Sequence, residues 1–224
     1  MDIKNINYEY FLDLSVRMTY HSNAIEGNTL TLNETATIIL DSTIPGSKSV
    51  REVFEVLNHK RAIDYMISEL ENDKKLDIYV IKSINKEILD RLNDNAGNFK
   101  RNSNAIIGAN FETSTPSQAP ILTKNWIENL NYRLELCKND DEKLLEILNS
   151  HIEFERIHPF SDGNGRTGRL IMMYLCFQEK IAPFVIEKED RALYMSYLRE
   201  QNVDIIFEKV KELQKFEQKR IDKF

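Results

Sequence analysis

Apolar residues recur at helical spacing along almost the whole of this 224-residue chain, and the pattern breaks over residues 97–121. Phe11, Leu14, Met18 and Ile25 fall three, four or seven positions apart, so residues 8–26 read as an amphipathic helix stopped by Gly27. Thr31 with Glu34, and Ser49 with Glu52, each fit a capping box, in which a hydroxyl and a carboxylate three residues on satisfy backbone N–H groups at a helix start. The first precedes Ala36 to Leu40; the second opens a long helix through Val53 and Leu57 to Leu70. Asp77 can cap a helix carrying Ile81, Ile84, Ile88 and Leu92. Helical spacing resumes with Trp126, Leu130 and Leu134, continues over residues 141–157 and 166–177, and returns at 193–198 and 203–213. Residues 97–121 hold turn formers, two prolines and one short apolar run, Ala105-Ile106-Ile107, which read as a small hairpin and a loop. The expected fold is therefore mostly α: a helical bundle with one β-hairpin, in a single domain over residues 1–224.

The charge balance narrows the partners. A net charge of −6 repels phosphate at long range, so neither nucleic acid nor an anionic membrane surface is an expected partner, although a local basic pocket is allowed. The longest strongly apolar run, residues 170–177, is too short to span a bilayer. Met1-Asp2-Ile3-Lys4-Asn5 lacks a signal-peptide pattern, and the chain is expected in the cytoplasm. Cys137 and Cys176 have no second Cys or His at metal-ligand spacing and read as two reduced core thiols.

Chemistry concentrates between two of the helices. Gly163, Gly165 and Gly168 free the backbone to turn tightly, so that successive N–H groups can point at one spot. Such a nest at a helix N-terminus suits an anion, because unpaired N–H groups and the helix dipole both favour negative charge. Arg166 and Arg169, three apart, share a face of the following helix and can clamp a polyphosphate. Asp162 beside that pocket would repel the ligand unless a cation such as Mg²⁺ lies between them. His158 precedes the loop and can take a proton from an attacking hydroxyl. A base, a metal carboxylate, an anion nest and two charge clamps describe phosphoryl or nucleotidyl transfer. Gly-x-x-x-x-Gly-Lys-Ser/Thr is absent, so this is not a P-loop.

The run His158-Pro159-Phe160-Ser161-Asp162-Gly163-Asn164-Gly165-Arg166-Thr167-Gly168-Arg169 resembles the motif of the Fic family, His-x-Phe-x-Asp/Glu-Gly-Asn-Gly with arginine at both of its further positions. The likeness extends from about Ser22 to Leu213. It implies an α-helical core with a hairpin flap over the site. It further implies a protein adenylyltransferase that moves AMP from Mg²⁺-bound ATP to a Ser, Thr or Tyr hydroxyl of a protein. In that reading His158 is the general base and Phe160 anchors the loop. Asp162 holds Mg²⁺, while Gly163, Asn164 and Gly165 form the anion hole. Arg166 and Arg169 hold the β- and γ-phosphates. Ala105, Ile106, Ile107 and Gly108 resemble the flap that registers the target by strand-like pairing.

Ser22-Asn23-Ala24-Ile25-Glu26-Gly27 resembles the family's inhibitory pattern, Ser/Thr-x-x-x-Glu-Gly/Asn, and its place before the core implies an N-terminal inhibitory helix over residues 8–27. Ser22 and Glu26 are four apart, hence on one helical face. Arg169 can pair with Glu26 or with a γ-phosphate, but hardly with both, so Glu26 is expected to brake transfer. In some members the same Glu aligns a water that removes AMP, and nothing in the residues separates the two directions. A Doc-like kinase is the nearest rival; that branch has Lys where this chain has Gly165 and lacks the second arginine. Transfer of UMP or phosphocholine stays open. A non-catalytic nucleotide-sensing module would fit a missing His158 or Asp162, and both are present. His151, Glu52, Asn58 and His59 read as packing and hydrogen-bonding residues. The charged tail, residues 214–223, reads as a solvated helix face with room for a small homodimer contact. The protein target is unread, and the chain itself is one candidate.

Overall fold

A computed structural model describes residues 3–104 and 112–224. Its helices are α1 (Tyr8–Ile25), α2 (Leu32–Leu40), α3 (Val50–Glu71), α4 (Ile78–Leu89), α5 (Ala119–Leu136), α6 (Asp140–Ile157), α7 (Asn164–Gln178), α8 (Arg191–Glu200) and α9 (Phe207–Ile221). No helix among the described residues is long and apolar enough to cross a membrane.

Helix α7 organises the bundle. Every residue from Arg166 to Phe177 is buried, because α1, α3, α4 and α6 all pack on it. A helix buried on all faces must be apolar on all faces, which accounts for the unbroken run from Leu170 to Phe177. The same burial puts Arg166 and Arg169 inside the protein, where each guanidinium needs anionic or polar partners. α5 and α6 form a helical hairpin at one side; the Trp126 Nε1–H donates to the Ser150 carbonyl at 3.0 Å, and Leu130, Leu134, Leu144 and Leu148 are buried nearby in the same core. A smaller cluster, Leu30, Ile38, Val53 and Val56, seats α2.

Local signals set most helix ends. The Thr31–Glu34 capping box forms, and Asp77 accepts from the N–H groups of Tyr79 and Val80 at the start of α4. The second expected capping box does not form. Ser49 makes no side-chain cap, and the Glu52 carboxylate, which would return the bond to the Ser49 N–H, is taken by the Thr29 N–H and hydroxyl at 2.6 and 2.7 Å. α4 ends before Leu92, and the expected helix over 203–213 is split into a 3₁₀ turn at Val203–Ile205 and the start of α9 at Phe207. The tail is also less solvated than its charge suggests. Glu217 on α9 is buried and pairs with Arg17 of α1, and it accepts from the Tyr10 hydroxyl at 3.0 Å.

The non-helical stretch is shorter than expected, since α5 begins at Ala119 with a proline in its first turn. Phe99 and Phe160 form an isolated antiparallel bridge, with their rings stacked at 5.9 Å. The hairpin expected around Ala105, Ile106, Ile107 and Gly108 lies outside the described residues.

Candidate active site

The site lies where α6 ends and α7 begins. His158 closes α6 in the left-handed conformation, φ 49 and ψ 59, with its N–H still donating to the Phe154 carbonyl at 2.9 Å. A non-glycine residue there is strained, so the surroundings must impose it. The imidazole Nδ1 faces the Glu155 carboxylate at 3.6 Å. Burial alone would raise the Glu155 carboxyl, but His158, His151 and Arg169 together hold it below the usual carboxylate range. Glu155 therefore stays anionic beside His158 and can steady the imidazole on its Nδ1 side, leaving Nε2 for other work.

Phe160 fixes the loop to the core. It is fully buried, and Asn164 braces its backbone twice: Phe160 N–H donates to Asn164 Oδ1, and Asn164 Nδ2 to the Phe160 carbonyl, each at 2.9 Å. The Asn164 side chain is thus committed to the loop, and what it can offer a ligand is its backbone N–H. Gly163 starts α7 at φ +73, a left-handed turn that L side chains rarely adopt. The first-turn N–H groups of Asn164, Gly165 and Arg166 have no acceptor within the helix. Asn85 of α4 supports this turn, donating from Nδ2 to the Asp162 carbonyl at 3.1 Å and to the Thr167 hydroxyl at 3.2 Å.

The two arginines differ. Arg166 is 3.8 Å from Glu55 and 3.6 Å from Asp162, ion-pair distances without close hydrogen bonds, and its buried Nε has no partner. Arg169 is fully engaged. Its Nε donates to Ser22 Oγ and its Nη2 to the Ser22 carbonyl, both at 3.0 Å, while Nη2 also reaches Glu26 Oε1 at 2.7 Å. Tyr194 lies under the guanidinium, 5.6 Å from ring centroid to Cζ. Glu26 is the C-cap of α1, and Gly27 after it adopts φ +101. A Cβ added at Gly165 would collide with Glu26 Oε1, so the Glu26 carboxylate rests directly on the first turn of α7.

The structure brings Ser22, Glu26, Asp162, Gly165, Arg166 and Arg169 to one end of α7, with His158 one loop away. Several neighbours escaped the sequence reading. Tyr194 and Arg191 come from α8, the latter donating to the Ile25 carbonyl at 2.9 Å beside Glu26. Glu55 comes from α3 and also accepts from Asn28 at 2.9 Å. Only the fold brings these residues together, and no local spacing announced them.

A buried central helix with a glycine-framed N-terminus and two arginines, one loop from a histidine, is an arrangement that can receive an anion. Residues 75–176 match the sequence model of the Fic/DOC family. A protein adenylyltransferase Fic from Nematostella vectensis is 30% identical over 188 residues, which span 82% of this chain and 42% of that protein. Fic-1 from C. elegans superposes with a TM-score of 0.81 at 24% identity, covering 95% of this chain and 63% of that one. A Fic domain containing signaling protein from Bacteroides thetaiotaomicron gives a TM-score of 0.78 at 23% identity, over 88% of this chain and 76% of that one. The two structural likenesses show a shared fold. The chain belongs to the Fic/DOC family, and it spans less than half the length of the curated relatives it matches.

Proposed function

We propose that this chain is a protein adenylyltransferase, moving AMP from Mg²⁺-bound ATP to a protein hydroxyl, with Glu26 as its brake. The observation that carries the reading is the end of α7, where free first-turn N–H groups, a side-chain-free Gly165 and two buried arginines meet. The target hydroxyl gives its proton to His158 while its oxygen bonds to the α-phosphorus. The bond from that phosphorus to the bridging oxygen breaks, and pyrophosphate leaves. Asn164 and Gly165 offer backbone N–H groups to the phosphates, and the Gly163 N–H, which donates to Asp162 Oδ1 at 2.6 Å, can join them once Asp162 turns to the metal; Arg166 and Arg169 balance the β- and γ-phosphate charge.

The residues fit a magnesium ion held jointly with phosphate. Among the described residues no cluster of three or more His, Cys, Asp or Glu forms a closed cage, while the Asp162 side chain is 41% exposed beside the anion site. Mg²⁺ commonly uses one or two carboxylates plus phosphate oxygens and water, and when bound it would neutralise phosphate charge. Residues 105–108 are proposed to dock the target segment.

A second reading has its own support. The Glu26 side chain is 39% exposed with one oxygen on Arg169, so it can also orient a water for removal of AMP from a modified target. The chain itself, alone or as a homodimer, is the first target to try. Wild type, Glu26→Gly and Glu26→Gly/His158→Ala are incubated with Mg²⁺ and ATP, and intact masses recorded. An AMP adduct on Glu26→Gly, reduced in wild type and absent from the double variant, is expected. A phosphate adduct would move the assignment to a kinase. No adduct together with no ATP binding by calorimetry would sink the reading.

A further inference from the structure

Lys100 is 2% exposed, and among the described residues no carboxylate reaches its ammonium. The Nζ group donates instead to Asn104 Oδ1 at 2.7 Å, to Thr113 Oγ1 at 3.2 Å and to the Ile157 carbonyl at 3.5 Å. Burial pushes this ammonium down to about 8. A cation taken out of water without an anion is costly, so its presence calls for a role other than stability.

The bonds around it point to that role. Ser114 Oγ donates to the Ile157 carbonyl at 2.6 Å, the Lys100 N–H to the Pro159 carbonyl at 2.9 Å, and Asn104 Nδ2 to the Phe160 carbonyl at 2.8 Å. The Thr113 hydroxyl closes the set by donating to the Asn104 carbonyl at 2.7 Å. The carbonyls of Ile157, Pro159 and Phe160, which bracket His158, are thus all held by Lys100, Asn104 and Ser114. His158 sits between them at φ 49, a conformation that persists only when its surroundings over-determine it.

We propose that Lys100 is a positioning residue for His158: its ammonium ties Asn104 and Thr113 to the Ile157 carbonyl and so fixes the backbone that aims the imidazole. The proposal rests on the transferase reading for its kinetic consequence but not for its structural one. Lys100→Met keeps the stem and removes the charged donor. Three outcomes are expected. The thermal midpoint is no lower than that of wild type, since a buried cation without a carboxylate has been removed. Amide hydrogen exchange quickens about tenfold in peptides covering 99–104, 112–116 and 156–161 and nowhere else. In the Glu26→Gly background the AMP adduct forms about tenfold more slowly, while ATP affinity is unchanged. Unchanged exchange over 156–161 overturns the proposal whatever the activity. A lower midpoint with faster exchange throughout the chain also overturns it, because it marks a general structural role. If Glu26→Gly itself forms no adduct, the transferase reading has failed and the exchange pattern alone judges Lys100.

Discussion

Glu26 Oε1 lies 2.7 Å from Arg169 Nη2 and so close to Gly165 that no side chain could stand between them. Arg169 is 2% exposed and cannot swing into water to accept a ligand elsewhere. An anion that needs both Arg169 and the first turn of α7 must therefore displace Glu26. Removing the carboxylate should free the site while leaving a buried cation short of one partner. Glu26→Gly is expected to be less stable than wild type without nucleotide, and to gain more thermal stability from Mg²⁺-ATP. A ligand at a hundred times its Kd adds about 2.7 kcal/mol, so tighter binding shows directly in the midpoint. Equal shifts for the two proteins would count against the competition.

Gly165 offers a sharper test of the same place. Its Cβ would also lie 3.2 Å from Arg169 Nη1, in the space where a phosphate would sit. Glu26 is the end of a flexible side chain and can move aside, but a methyl group stays. Gly165→Ala is expected to break the Glu26–Arg169 pair without activating the protein. ATP binding by calorimetry should fall about tenfold or more in both the wild-type and Glu26→Gly backgrounds. Retained ATP affinity in the second background would place the phosphates elsewhere.

The contrast between these residues and their neighbours shows what a sequence can carry. Twelve consecutive positions, His158 to Arg169, hold much of the candidate chemistry, so their types and spacing could be read directly. The helices were legible for the same reason: the spacing of Phe11, Leu14 and Met18, or the Thr31–Glu34 cap, is decided within a few residues. The box at Ser49 was misread, and its Glu52 accepts instead from Thr29, twenty-three positions away. Tyr194, Arg191, Glu55 and Lys100 act on the site from other elements, and a contact between distant residues leaves no periodic trace. Glu217 looked like one more charge on a solvated tail, and only the packing of α9 on α1 makes it a buried anion.

Glu217 is accordingly expected to matter for stability more than any other charge in the tail. Its side chain is 2% exposed and bonds Arg17 through both oxygens, with the Tyr10 hydroxyl donating to one of them. Glu217→Ala leaves Arg17 with Asp13 alone on α1 and Tyr10 without its acceptor. Breaking a buried pair from one side typically costs about 3–5 kcal/mol, and the retained Asp13 places this case near the lower bound. Chemical denaturation of the variant checks it. A loss under about 1 kcal/mol, the range of exposed pairs, would mean that the cluster is solvated in solution.

Acid should destabilise the protein before its carboxylates titrate. Burial pushes His151 down to about 4, with Arg169 adding to the effect and Glu155 opposing it. Burial, then Arg169 and Arg166, hold His59 well below the ordinary value of 6.5. In the unfolded chain both histidines take up protons near pH 6.5, whereas the native protein refuses them. The unfolded state then binds more protons, so stability falls as pH drops below about 6.5, by up to about 1.4 kcal/mol per unit for each histidine. His151 Nε2 lies 2.7 Å from the Tyr194 hydroxyl, and His151→Gln keeps a polar group there without the titration. Thermal midpoints measured between about pH 5 and 6.5, above most carboxylate titration, should fall less steeply for His151→Gln than for wild type. Parallel slopes would show that His151 takes up its proton inside the folded protein.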